Sequence, residues 1–251
     1  MCNNIVLDPN NFKKSNLIID INKGLFVNWT EYDMKLLNSL LYIYSQKTEE
    51  EINNTKIGDF QEILIKDLRD LMNINPKRNY KEIIINSLEN IRNFGFNAKI
   101  NNKIDYTSFI LKFEKRELLR FPQSYQNQKV KILFDNELFK CILQKSNFTL
   151  LNIDINKLSS KYAMNIYQII KMKQKQINPI TKEKITTVKY NLKELNEIFD
   201  TSHKYISKFK HHFENRKKSI IKHDLIKTDF DFDFKKDCIV FKFRNFNKKS
   251  K

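Results

Sequence analysis

An α+β fold in which one small assembly occurs twice is predicted by three features of this 251-residue sequence. First, Tyr190–Phe199 carries Leu192, Leu195, Ile198 and Phe199 at the spacing of a short amphipathic helix. Asp200-Thr-Ser202 supplies a turn and a capping oxygen, and Lys204–Lys222 follows as a longer helix with Ile206, Phe209, Phe213 and Ile220 on its inward stripe. Second, Thr228–Phe234 and Cys238–Arg244 alternate strictly about the turn Lys235-Lys-Asp237. They read as a β-hairpin with Phe230, Phe232, Phe234, Ile239, Phe241 and Phe243 on one buried face. Third, the order short helix, turn, long helix, hairpin also occurs earlier. Leu68 and Leu71 align with Leu195 and Ile198 at a common offset of 127 residues. Helix-turn-helix plus hairpin is a winged helix, so tandem winged-helix domains are expected, residues 1–145 and 146–251.

The charge pattern says what the second domain meets. Between Lys204 and Lys222 stand six Lys and one Arg against Glu214. Lys204, Lys208, His211, Asn215, Lys218 and Lys222 step by three or four residues along the side opposite the apolar stripe. A cationic second helix after a tight turn is expected to lie in a groove of double-stranded DNA. The candidate DNA contacts are those six with Lys210 and His212, and, at the start of the first-domain counterpart, Lys77, Arg78 and Lys81. Glu82 and Glu89 dilute that second patch.

Of the net charge of +17, residues 146–251 hold +13 (24 basic, 11 acidic) and residues 1–145 hold +4. The chain favours Ile, Asn, Lys and Phe and has three Gly. Such a bias supplies lysines by itself but would not gather the excess in one half. A concentrated positive field attracts a polyanion, nucleic acid first and an anionic membrane surface second.

Other classes are poorly served. With 41% hydrophobic residues the chain is globular, and no window approaches the ~18 apolar residues of a membrane span. Met1–Asn10 shows neither a basic nor an apolar leader region, and Cys2, Cys141 and Cys238 are odd in number and far apart. A cytoplasmic protein with reduced thiols and no membrane association is expected. Gly occurs only at 24, 58 and 95, which leaves no phosphate-cradling loop for an ATP-driven helicase. His203, His211, His212 and His223 are separated by 8, 1 and 11 residues, none the four-residue step that puts two imidazoles on one helical face. A strand-nicking enzyme would need two histidines flanking one residue, and His211-His212 are adjacent. Asp229, Asp231 and Asp233 open like a calcium loop, but Phe234 and Val240 stand where Gly and Glu are required. They are expected to pair across the hairpin with Lys242 and Arg244. No enzymatic activity, metal or cofactor is expected.

In chain order, residues 1–15 read as a polar arm and Leu17–Ile21 as a strand. Thr30 caps a buried helix through Leu36, Leu37, Leu40, Leu41 and Ile43. Lys47–Asp59 reads as loop, Ile63–Met72 as a short helix, and Lys77–Asn93 as a longer one with Tyr80, Ile84, Leu88 and Ile91 inward, stopped by Gly95. Phe96–Ile100 and Asp105–Phe113 form a hairpin. After the polar loop at Phe121–Gln128 come the strand Val130–Phe134 and the short helix Glu137–Leu143. Phe148–Ile155 reads as a strand, Ser159–Lys173 as a buried helix, and Met172–Lys189 as a basic loop or small hairpin.

Several of these segments resemble the iteron-binding plasmid replication initiators with two winged-helix domains. Ser160-Lys-Tyr-Ala-Met-Asn-Ile-Tyr-Gln-Ile-Ile170 is similar to the first helix of that family's second domain, Phe209-Lys-His-His-Phe213 to the core of its recognition helix, and Ile239–Arg244 to its closing strand. Asn165 and Gln168 depart from the family's Arg and Glu, a change expected at a surface contact. Arg216 and Lys217 stand where the family tends to be apolar, so the end of that helix is expected to tilt or be solvated. Lys210, His211 and His212 fall where the family's basic residues meet DNA. Neutral histidines there would weaken phosphate attraction yet still hydrogen-bond bases. The resemblance implies an initiator of theta-type replication that binds origin repeats and recruits host replication proteins. It further implies dimers, in equilibrium with monomers, that repress the protein's own gene at an operator. The strand Tyr106–Phe113 is expected to offer the dimer edge. A winged-helix regulator without initiator activity is the alternative, and a strand-nicking initiator a third reading.

Overall fold

The computed structural model describes residues 11–15, 29–47, 49–54, 59–100, 103–114, 128–135, 138, 148–174, 186–199, 201–223, 225–226 and 230–243. After strand β1 (Asn11–Ser15), the chain forms two compact units, one built on Trp29–Ser146 and one on Asn147–Lys251.

The first unit opens on helix α1 (Glu31–Ser45). Thr30 and Asp33 cap it reciprocally: the Thr30 hydroxyl accepts from the Asp33 N–H at 3.3 Å, and the Asp33 carboxylate accepts from the Thr30 N–H at 2.7 Å. Two otherwise orphaned N–H groups are thereby satisfied. Leu36, Leu37, Leu40 and Leu41 are buried together with Leu68, Ile84, Leu88 and Ile91 from the helices that follow. The stretch expected as loop instead holds a short helix, α2 (Glu49–Asn54), with Glu50 and Glu51 at its positive end.

Strand β2 (Gln61–Leu64) runs straight into α3 (Ile65–Leu71), and α4 (Tyr80–Asn93) completes the helical part. The helix expected over Ile63–Met72 therefore loses its front to a strand, because Ile63 pairs with Val130 of β6 (Lys129–Phe134). The expected hairpin also divides. Strands β3 (Phe96–Ile100) and β4 (Lys103–Thr107) pair with each other, whereas β5 (Ile110–Phe113) joins β6 in a separate sheet ordered β2-β6-β5. The break falls at Ser108, whose hydroxyl donates to the Ile91 carbonyl at 2.8 Å, and at the buried ring of Phe109. The wing of this unit is thus β5 with β6.

In the second unit, β7 (Phe148–Asn152) leads through a 3-10 turn, Ile153–Lys157, to α5 (Lys161–Gln174). Strand β8 (Thr187–Asn191), α6 (Leu192–Phe199) and α7 (Ser207–Lys222) follow, then the wing strands β9 (Phe230–Phe234) and β10 (Cys238–Phe243). The sheet order β8-β10-β9 repeats β2-β6-β5 element for element. Tyr80 and Ser207, which open the two longer helices, stand 127 positions apart, as do the buried Leu68 and Leu195. The chain is a tandem of winged helices, each a three-stranded antiparallel sheet packed on its helices.

The expected alternation of the second wing is present: Phe230, Phe232, Ile239, Phe241 and Phe243 are buried and Phe234 half-buried. Tyr190 lies on β8 rather than in the following helix, with its ring 5.1 Å from that of Phe241. Asn165 and Gln168 are both buried, so the departure from the family's charged pair is not at the surface. The Gln168 amide is fully buried, and neither of its polar atoms finds a partner among the described residues. The expected elements at Leu17–Ile21 and over most of Phe121–Gln128, Glu137–Leu143 and Met172–Lys189 lie outside the described residues; Leu138 within them is helical and buried. Among the described residues no helix is long and apolar enough to cross a membrane.

Candidate nucleic-acid interface

The candidate site is built on α7, and its position is set from the inside. Ile206, Phe209, Phe213 and Ile220 are all buried. The Phe213 ring meets Phe199 at 5.3 Å, Phe232 at 4.9 Å and Phe241 at 5.5 Å, so one side chain ties α7 to α6 and to both wing strands. Edge-on contacts of this kind add to the area each ring buries.

The turn before α7 is fixed by Asn196. Its side-chain oxygen accepts from the His203 N–H at 2.9 Å and the Thr201 hydroxyl at 2.8 Å, while its amide nitrogen donates to the His203 carbonyl at 2.8 Å. One side chain thereby satisfies both backbone groups of His203 in a segment without regular partners. An Asn near a helix end gives no periodic signal, and sequence reading passed over it.

With the inner face anchored, Lys208, Lys210, His211, His212, Asn215, Lys218 and Lys222 are exposed on α7. Lys204 is exposed too but precedes the helix, which starts at Ser207 and not at residue 204. Tyr205, also just ahead of the helix, is 66% exposed and was not foreseen. The Asn215 amide and the His211 imidazole lie 2.9 Å apart, one turn along the same face. Partial desolvation of the otherwise exposed ring first, then the charges of His203, Arg216 and His211, hold His212 below its ordinary value of 6.5, favouring the neutral ring.

At the far end of α7, Arg216 and Lys217 are half-buried. Lys217 makes a 2.9 Å ion pair with Asp231 of β9, and its ammonium lies 5.7 Å from the Phe230 ring centre. Asp231 therefore pairs with the helix. Asp233 does bond Lys242 across the hairpin, at 2.9 Å, and also Lys235 at 3.1 Å, and those bonds hold its carboxyl below the usual range. Arg244 and Asp229 lie outside the described residues.

The three first-unit candidates form a different picture. Lys77 and Arg78 sit in the turn ahead of α4, which begins only at Tyr80. Lys77 is exposed, its backbone N–H donating to the Asn75 side chain at 2.9 Å. Arg78 donates to the Tyr32 hydroxyl at 2.5 Å, and Lys81, in the first turn of α4, is half-buried with its pKa lowered by that burial. These cations are tied down in part, whereas Lys208, Lys210, Lys218 and Lys222 of α7 are exposed. Among the described residues no group of three or more His, Cys, Asp or Glu side chains stands together as a metal site.

Two winged helices in one chain, the second with a cationic helix on a rigid aromatic anchor, define the class. The family follows from the sequence: residues 11–171 match the family described as initiator replication protein, WH1, and the chain belongs to it. It is a replication initiator by family. The fold is similar to that of domains 2 and 3 of RctB in a selenomethionine crystal structure, with a TM-score of 0.53 at 12% identity over 85% of this chain and 81% of that one. A further crystal structure of RctB domains 2-3 aligns with a TM-score of 0.45 at 12% identity, over 84% and 82% of the two chains. At that identity the likeness is one of fold. No curated protein matches the sequence.

Proposed function

We propose that this protein is a sequence-specific double-stranded-DNA-binding initiator of theta-type plasmid replication, reading origin repeats with the outward face of α7. The observation that carries the reading is the division of α7 itself. Phe209, Phe213 and Ile220 are buried while Lys208, Lys210, His211, His212, Asn215, Lys218 and Lys222 are exposed along the rest of its length. Lysines suit phosphates, and Asn215 with the histidines suits base edges in the major groove. Lys204 and Tyr205 extend the surface at the helix start, and Lys77, Arg78 and Lys81 supply a weaker second contact from the first unit. Residues 1–145 act as the dimerising domain and 146–251 as the main reader, in a cytoplasmic protein that works with host replication proteins. Monomers bind origin repeats and dimers repress the gene at an operator.

Footprinting of the purified protein on the DNA flanking its gene tests this. Several protected same-direction repeats beside an AT-rich tract are expected. A lone protected inverted repeat would instead favour a transcriptional regulator, and a covalent protein–DNA adduct would favour a nicking initiator.

A further inference from the structure

Among the described residues three large apolar side chains stand exposed: Leu111, Tyr205 and Ile221. Tyr205 is the most exposed of them, and it lies where α7 begins. Its backbone is held on both sides. Two positions before it, His203 is gripped by Asn196 through its N–H and its carbonyl, and the residue after it, Ile206, is buried. The Lys208 N–H donates to the Tyr205 carbonyl at 3.2 Å and the Phe209 N–H to the Ile206 carbonyl at 2.9 Å, so tight turns carry the helix back as far as Tyr205. Among the described residues neither the ring on this fixed stem nor its hydroxyl has a partner.

The setting says what the ring meets. Lys204 beside it and Lys208 one turn on are both exposed. Their ammonium groups suit phosphates, so charge at this end of α7 is supplied without the phenol. In a helix-turn-helix the residues at the start of the second helix reach base edges in the major groove. Those edges carry hydrogen-bonding atoms and one apolar group, the thymine C5 methyl. A flat ring with two χ angles loses little freedom when it packs on such a group. A held stem, an unpartnered ring and flanking lysines describe a reader of thymine.

We propose that Tyr205 is a specificity-determining residue that packs its ring against the C5 methyl of a thymine in the origin repeat. The inference rests on α7 lying in the major groove, and it adds the base that the leading end of that helix selects. Fluorescence anisotropy with the full chain tests it on a duplex carrying one origin repeat, each thymine replaced in turn by deoxyuridine, which lacks only the methyl. Wild type is expected to lose about fourfold in affinity at one of these positions, the worth of one methyl contact. Tyr205→Phe should show the same loss at the same position. Tyr205→Ala should bind the unmodified repeat about fourfold more weakly or worse, show no further loss at that position, and melt like wild type. Wild-type binding indifferent to every replacement, an undiminished loss in Tyr205→Ala, or a Tyr205→Phe protein that behaves like Tyr205→Ala would overturn the assignment and leave the DNA reading standing. Failure of wild type to bind the repeat at all would remove both.

Discussion

Asn196 holds His203 by both of its backbone groups, donating to the carbonyl at 2.8 Å and accepting from the N–H at 2.9 Å. The angle at which α7 leaves α6 is thus set by one amide in the last turns of α6, seven residues before the backbone it grips. A loop held only by water would leave the cationic face of α7 free to sample many orientations, at an entropic cost to any specific contact.

Asn196→Ala leaves two backbone groups of a half-buried segment to find other partners, and is expected to cost about 1–3 kcal/mol of stability. Asn196→Asp, which keeps the acceptor and loses the donor, should fall between Asn196→Ala and wild type. Urea denaturation of the three proteins checks the order, and wild-type stability for Asn196→Ala would mean the clamp is idle.

Phe213→Ala removes the ring shared by Phe199, Phe232 and Phe241 and is expected to destabilise the protein by about 3 kcal/mol or more. Calorimetric melting measures it. A variant that melts like wild type but no longer binds DNA would make Phe213 a contact residue and contradict its place in the core.

The pH dependence of stability has a sign set by His212. Its folded-state pKa lies below the ordinary 6.5, chiefly through partial desolvation, with His203, Arg216 and His211 adding like charge. Below pH 6.5 the unfolded chain therefore binds more protons than the native one. Stability is expected to fall as pH drops through 6.5 and to level off once the folded-state value is passed. His212→Gln should lessen that fall in denaturation compared at about pH 7.5 and 5.5. Identical pH profiles for the two proteins would show the ring to be unperturbed.

The second unit was readable because its periods are clean. Alternating Phe across β9 and β10 and the step Ile206, Phe209, Phe213, Ile220 survive in the structure as buried faces. Strand β2 was hidden because it passes into a helix with no turn residue between, Leu64 to Ile65, so two short periods blur into one. At the end of β8 the boundary signal was present and missed: Asn191 caps α6, its side chain accepting from the Glu194 N–H at 2.9 Å while the Glu194 carboxylate accepts from the Asn191 N–H at 2.8 Å. The wing of the first unit was misplaced for a related reason. Residues 105–113 look like one run of β-formers, and only the tertiary contacts of Ser108 and Phe109 divide it. Lys77 and Arg78 showed their charge in the sequence, but their place ahead of α4 and the bond from Arg78 to Tyr32 depend on folding.

Dimerisation through the first unit would have to use a surface other than a continuous Tyr106–Phe113 strand, since that segment spans β4 and β5. The register of β5 on β6 shifts between Ile110 and Lys112, and Leu111 at the shift is 48% exposed on an edge strand. Bulges blunt backbone pairing at an edge, so in the proposed dimer the apolar side chain of Leu111 would be the contact. Leu111→Lys is expected to weaken a dimer about tenfold or more in sedimentation equilibrium. An unchanged constant would move the interface elsewhere.

Salt dependence of DNA binding tests the role of α7 most directly. Each phosphate contact adds about 0.9 to the slope of log K against log salt concentration. Lys204, Lys208 and Lys218 are all exposed, one before and two within α7. Changing the three together to Ala should flatten the slope measured on the origin DNA by about two to three units without lowering the melting temperature. A slope equal to that of wild type would mean that the outward face of α7 does not lie against the DNA.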